Sequence, residues 1–178
     1  MRRVSKEEAQ ADMAARGFDR AAMSACVMCA LATGAADPTL RIRDDEHAVV
    51  VLDRYASTRG NLLVLARRHV ERMTELPIAV HLDMQRLVFE ANVALEAVFS
   101  PRRIYTATLG SPSAMTTDPP SMSFPHLHVH VVPIHEDGES ARPAAIFSWT
   151  AGIGLYDDAE AAEIVRDLRA AWPATSLS

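Results

Sequence analysis

The chain has 178 residues, 49% of them hydrophobic and 23% charged, with a formal net charge of −5. That composition suits one globular domain with a substantial core. The acidic balance excludes a nonspecific nucleic-acid binder or a protein held to anionic membranes, because both need a basic face.

Arg2 and Arg3 are followed by no apolar segment, so the N-terminus does not read as a signal peptide. The most apolar stretch, residues 21–32, is too short to span a bilayer. A cytoplasmic protein without a membrane anchor is expected. Residues 5–17 predict a short helix: Ser5 and Glu8 form a capping box, and Gly17 ends the run. Cys26 and Cys29, the only cysteines, form a C-x-x-C. In a reducing compartment this spacing suits a redox motif, half of a metal site, or two buried thiols. A loop over residues 33–39 follows.

Residues 47–53, with the run Ala48-Val-Val-Val-Leu52, predict a dense apolar strand. Residues 55–61 read as a turn region, and residues 62–66 as a second strand, antiparallel to the first. Pro77 opens the longest helix, running to Phe99. Its apolar residues Val80, Met84, Leu87, Val88, Ala91, Leu95 and Val98 follow the i, i+3, i+4 rule, and Pro101 stops it. Residues 104–109 predict a strand. Residues 111–123 hold Pro112, Pro119 and Pro120 among Ser, Thr and Asp, and read as a loop. Residues 136–143 read as polar loop, and residues 145–150 as a further strand. Asp157 and Asp158 open a final helix, where carboxylates favour the dipole. Its stripe is Ala161, Ile164, Val165, Leu168 and Trp172, and Pro173 ends it. The pattern predicts an α+β domain with a mainly antiparallel sheet, one long helix and a C-terminal helix. Residues 1–25 read as a helical appendage, 26–134 as the core and 135–178 as a C-terminal extension.

The most informative run is His126-Leu127-His128-Val129-His130-Val131-Val132. Period-two alternation predicts a strand with Leu127, Val129 and Val131 on a core face. His126, His128 and His130 then line the other face, roughly 7 Å apart. Imidazoles so arranged suit metal ligation, phosphate handling or nucleophilic catalysis. Among the other histidines, His47, His81 and His135 have no evident partner, and His81 beside Asp83 reads as solvated. Trp149 and Trp172 read as packing residues, and Arg67 and Arg68 as solvated cations.

The histidine run resembles the defining pattern of the histidine-triad (HIT) family of nucleotide hydrolases and transferases. The resemblance extends to Val51-Leu52-Asp53, to Gly60-Asn61-Leu62-Leu63-Val64, to Arg67-Arg68-His69-Val70, and to the C-x-x-C of zinc-bearing members. It covers roughly residues 26–134. It implies a homodimer of α+β subunits whose sheets join across the interface. It implies His128 as the nucleophile, with His130 and Ser123 handling the phosphoryl group, and Asp53 binding the ribose beside Val51. It implies a structural Zn²⁺ on Cys26, Cys29, His69 and His126, since four protein ligands leave no open position. Dinucleoside polyphosphates are the expected substrates. Nucleoside phosphoramidates are the alternative, and a noncatalytic zinc-stabilised nucleotide-binding module is a third reading. The chain departs from the family pattern at four places. Thr108 stands where many members carry Asn. Ser121-Met122-Ser123 replaces Gly-Gln-Ser, Ile134 follows Pro133 in place of an arginine, and the loop at 111–123 is longer.

Overall fold

The computed structural model describes residues 1–17, 26–109, 125–148 and 152–174. Eight strands form two antiparallel sheets. The larger holds β2 (Arg41–Asp44), β3 (Ala48–Leu52), β5 (Leu62–Ala66), β6 (Arg103–Ala107) and β7 (His128–Ile134), in the order β2-β3-β5-β7-β6. The smaller joins β1 (Arg2–Val4), β4 (Tyr55–Ala56) and β8 (Ile153–Leu155) in the order β1-β8-β4. All ladders are antiparallel. Mixed helix and antiparallel sheet is the expected α+β class.

Every residue of β3 and β5 is buried, which explains why both read as unbroken apolar runs rather than alternating ones. Helix α3 (Ile78–Phe99) packs on β3, β5 and β7. It presents Met84, Leu87, Val88, Ala91 and Leu95 to the core, with Val80 and Val98 at its margins. Helix α5 (Asp158–Ala171) lies against α3 and β2, and buries Ala161, Ile164, Val165 and Leu168. Asp157 caps it and forms a capping box with Glu160. Helix α1 (Lys6–Ala15) carries the expected Ser5–Glu8 box. It packs against β8, so the two ends of the chain meet in the smaller sheet.

Three expectations are corrected. Residues 145–148 are helical, within α4 (Pro143–Ser148), not a strand. Pro143 opens that helix at a position where its missing N–H costs nothing, and Ile146 buries against Val132 and Ile134. Residues 149–150 lie outside the described residues. Within the supposed loop at 33–39, Thr33 still belongs to helix α2 (Val27–Thr33), which ends on Gly34 at φ +80°. Within the turn region at 55–61, Tyr55 and Ala56 pair with β8 as β4. The strands β1, β2 and β8 are too short to show a period, and were not expected. No described helix is long and apolar enough to cross a membrane.

Arg67 is not simply solvated either. Its guanidinium donates to the carbonyls of Asp45 (2.7 Å) and Ala32 (3.1 Å) and pairs with Asp44. It thereby fastens the end of α2 to the turn before β3.

Candidate metal and phosphoryl-transfer site

Cys26 caps α2 and Cys29 lies one turn on, so the C-x-x-C presents both sulfurs from one helix end. His69 follows β5, and His126 precedes β7. The four ligand atoms lie within 4.8 Å of one another. Nδ1 of His126 is 3.3 Å from Nδ1 of His69, 3.3 Å from Sγ of Cys29 and 3.8 Å from Sγ of Cys26, and Cys29 Sγ is 3.3 Å from His69 Nδ1. Zinc bonds of about 2.3 Å to sulfur and 2.0–2.1 Å to nitrogen, arranged tetrahedrally, require edges of about 3.3 Å between nitrogens and about 3.5 Å between nitrogen and sulfur. The group therefore has the size and donor chemistry of a tetrahedral zinc site.

The second shell agrees. His126 is fully buried and its Nε2–H donates to Ala66 O at 2.7 Å, which leaves Nδ1 as a lone pair facing the sulfurs. Burial, and then the neighbouring Cys26, push the Cys29 thiol up to about 11. A bound cation reverses that preference, because it favours the thiolate.

β7 begins at His128, two residues later than the alternation predicts. Ahead of it the backbone leaves regular pairing, with Leu127 N–H donating to Val70 O and Leu127 O accepting from Ala66 N–H. His126 accordingly serves the metal cluster, while His128 and His130 stay together on one face. His128 is buried, and its Nδ1–H donates to His126 O at 2.6 Å. Its Nε2 is then the lone-pair nitrogen, 3.1 Å from Nε2 of His130. The consistent tautomers have His130 donating from Nε2 to His128. Burial holds His128 and His126 below the usual imidazole range, and burial together with His128 pushes His130 down to about 3. All three are neutral at pH 7.

The register places Asp53 on the same face. Val51 pairs with Leu63, Leu63 with His130, and His130 with Ala107. Asp53 lies two residues beyond Val51, just past the end of β3. Val51 itself is buried and forms floor rather than rim. The Asp53 carboxylate accepts from Tyr55 N–H (3.1 Å) and from Asn61 Nδ2 (2.9 Å). Burial pushes its pKa up to about 7 against the pull of the Tyr55 N–H. Ser123 lies outside the described residues.

Two features escaped sequence reading. Phe147 of α4 stands edge-on to His130, with ring centroids 6.0 Å apart, and Ser57, in the loop after Asp53, donates to Ile146 O. Helix α4 thus lies beside His130 and is tied to the loop after Asp53. Asn61 was legible in principle: it stands two residues before Leu63, so period two puts it on the site face. His47 meets Asp83 at 3.6 Å. His135 Nε2–H donates to Arg59 O at 2.8 Å, closing the turn after Asp53.

A paired-histidine strand beside a Cys2His2 cluster, on an antiparallel sheet backed by one long helix, defines a zinc-type histidine-triad protein. The HIT domain family matches residues 35–137, more than half of the chain, and the protein belongs to that family. An uncharacterized HIT-like protein of Mycobacterium tuberculosis is 32% identical over 108 residues, covering 61% of this chain and 70% of that protein. Protein hit of Bacillus subtilis is 25% identical over 114 residues, covering 64% and 74%. The crystal structure of a Zn-bound histidine triad family protein from Mycobacterium smegmatis is similar at TM-score 0.61 and 26% identity, over 83% of this chain and 92% of that one. A Hit-like protein from Bartonella henselae shares the fold at TM-score 0.63 and 15% identity, over 84% and 98%.

Two outcomes follow from this geometry. Protein purified without chelator should carry close to one zinc per chain by elemental analysis, and Cys29→Ser should lose most of it; a wild-type protein free of zinc would contradict the ligand set. The second concerns Asp53. A carboxyl whose folded pKa lies near 7, above its unfolded value of about 3.9, stabilises the fold below that unfolded value, and the contribution is lost as pH rises through 7. The buried histidines act in the opposite sense, but equally in wild type and Asp53→Asn. The urea stability of wild type relative to Asp53→Asn should therefore fall between pH 5 and pH 8 at saturating zinc. Parallel profiles would show that Asp53 does not titrate there.

Proposed function

We propose that the protein is a nucleotide hydrolase or nucleotidyl transferase. In this reading it attacks the α-phosphate of a dinucleoside polyphosphate through His128 and passes through a nucleotidyl-histidine intermediate. The observation that carries this reading is the state of His128: neutral, held through Nδ1 by a carbonyl, with an unprotonated Nε2 that attacks once substrate displaces the His130 N–H from it. Family membership supports the same class of chemistry.

His128 Nε2 forms the P–N bond as the bond from phosphorus to the leaving group breaks. The imidazolium produced keeps its Nδ1–H on His126 O, so the positive charge develops against a fixed dipole. The leaving oxygen takes a proton delivered by way of His130 or Ser123. Water then attacks phosphorus, its proton returning by way of the group that gave one to the leaving oxygen, and the P–N bond breaks, which regenerates neutral His128 and splits one difficult step into two. Asp53 holds the ribose hydroxyls and so sets the distance from sugar to nucleophile. Nucleoside phosphoramidates present the same α-phosphorus with a nitrogen leaving group. The zinc, on Cys26, Cys29, His69 and His126, is structural in this reading and takes no part in the steps.

The same reading includes a homodimer. Ile78, Leu82 and Phe89 leave 71%, 59% and 59% of their surfaces exposed on one stripe of α3, and a contiguous exposed apolar patch marks an interaction face. β6 ends the larger sheet with its outer side unpaired by any described strand, ready to accept a second copy.

His128→Ala should abolish turnover of diadenosine polyphosphates while AMP still binds. His130→Ala should slow turnover on the order of 10²–10⁴-fold. Rapid quenching with labelled substrate should trap an acid-labile, base-stable adduct on the peptide containing His126–His130, absent in His128→Ala. A His128→Ala protein that keeps its turnover would refute the mechanism. Sedimentation at micromolar concentration should give twice the chain mass for wild type and the single mass for Phe89→Asp. A monomeric wild type would remove the dimer.

A further inference from the structure

His130 changes partners during the proposed reaction. In the free protein its Nε2–H donates to His128 Nε2 at 3.1 Å. Substrate takes that nitrogen, so the bond that holds the imidazole at rest is gone when His130 meets the phosphoryl group. χ1 of a histidine has three staggered wells, and only the well that faces the phosphorus is useful. A second contact has to keep the ring there.

The sheet supplies part of that support. On the site face the cross-strand neighbours of His130 are Leu63 and Ala107. Leu63 is a buried, full-sized neighbour. Ala107 ends at a methyl group, so the β6 side offers the imidazole little to lean on. Phe147 meets the ring from outside the sheet, at a centroid separation of 6.0 Å and an interplanar angle of 71°. Those are the separation and angle of an edge-to-face aromatic pair.

Phe147 is itself held in place. Its neighbour Ile146 is 3% exposed and seats α4 on Val132 and Ile134. The Ile146 carbonyl is among the last four of the helix and has no donor within it. Ser57 Oγ–H donates to that carbonyl. Val132 and Ile134 follow His130 on the same face of β7. The strand that carries the imidazole therefore also carries the seat of the helix that abuts it, and the two move as one body. Phe147 lies beyond the residues matched by the family.

We propose that Phe147 is a positioning residue for His130: its ring keeps the imidazole in the rotamer that aims Nε2–H at the reacting phosphoryl group after substrate has displaced the bond to His128. This deepens the proposed function and rests on it. Phe147 needs no contact with substrate in this role. It acts by having the His130 donor already in place when charge develops on the leaving oxygen. An effect confined to that moment lowers kcat and leaves KM alone.

The test is a double-mutant cycle on the full-length, zinc-loaded protein, with a diadenosine polyphosphate as substrate. Phe147→Ala should lower kcat about tenfold, the scale of one aromatic pair, with KM changed less than about twofold. Phe147→Tyr should recover most of that loss. Added to His130→Ala, Phe147→Ala should cost nothing further, because the residue it positions is gone. A structural role would cost the same in both backgrounds. A second measurement needs no turnover. The χ1-dependent three-bond couplings of His130, read by NMR, should report one rotamer in wild type and in His128→Ala. They should average over rotamers in His128→Ala/Phe147→Ala. An undiminished kcat in Phe147→Ala, an equal loss in both backgrounds, or a single rotamer in that double variant would overturn the role of Phe147 and leave the nucleotide reading in place. A wild type without turnover would overturn that reading, and the couplings would then decide alone whether Phe147 seats His130.

Discussion

His126 carries three obligations at once, and much of the site depends on their being met together. Its Nε2–H donates to Ala66 O, its Nδ1 closes the cluster with Cys26, Cys29 and His69, and its backbone carbonyl takes the Nδ1–H of His128. The ring bond fixes the tautomer that ligates. The carbonyl bond fixes the tautomer that leaves Nε2 of His128 unprotonated, to accept from His130. A side chain with one of these ties removed has no reason to sit where the other two need it. The irregular backbone before β7 is what permits the arrangement, because a strand continued through His126 would have turned its ring to the face of His128 and His130. The metal cluster and the reactive pair are consecutive stations on one short segment.

The long-period features were readable from sequence because each is a burial pattern. The stripe of α3, the dense strands β3 and β5, and the Ser5–Glu8 capping box are forced by residues acting within a few positions of one another. The short elements were not. β1, β4 and β8 have three residues or fewer and exist only because the ends of the chain and the turn after Asp53 meet there. Likewise, Ile146 and Phe147 in a short apolar run carry no period that separates strand from helix. Tertiary contact decided for helix, with Ile146 seated on Val132 and Ile134. The Cys2His2 cluster is an intermediate case. The C-x-x-C left several chemistries open, and its partners His69 and His126 stand too far along the chain for spacing to pair them, so the family resemblance supplied the set that the fold then brought together.

One departure from the family pattern acquires a physical reason. The arginine common after the motif's proline is Ile134 here, and Ile134 is 2% exposed beneath α4. A guanidinium at that position would have to be buried against Ile146, at a cost that a buried aliphatic side chain avoids. Thr108, by contrast, is exposed just past the end of β6, and nothing in the structure explains its difference from the asparagine of other members.

The loop that presents Asp53 is held in large part from outside the region matched by the family, residues 35–137. Arg54, 3% exposed, donates to Tyr156 O (3.2 Å) and to Asp158 (2.8 Å) and Asp37 (2.9 Å). Tyr156, fully buried, receives Gly60 N–H at 2.8 Å, and Tyr55 donates through its hydroxyl to Asp12 of α1 at 2.9 Å. Gly60 itself has φ +86°, and a Cβ there would stand 2.7 Å from the Phe99 ring, so only glycine lets this turn lie so close to α3. Segments that a motif search would set aside as terminal extensions thus clamp both sides of a nine-residue turn from Asp53 to Asn61. A carboxylate can be held partly buried with its pKa near 7 only if the backbone around it cannot relax toward water. The extensions supply that rigidity, which makes them part of the site's electrostatics without touching its chemistry.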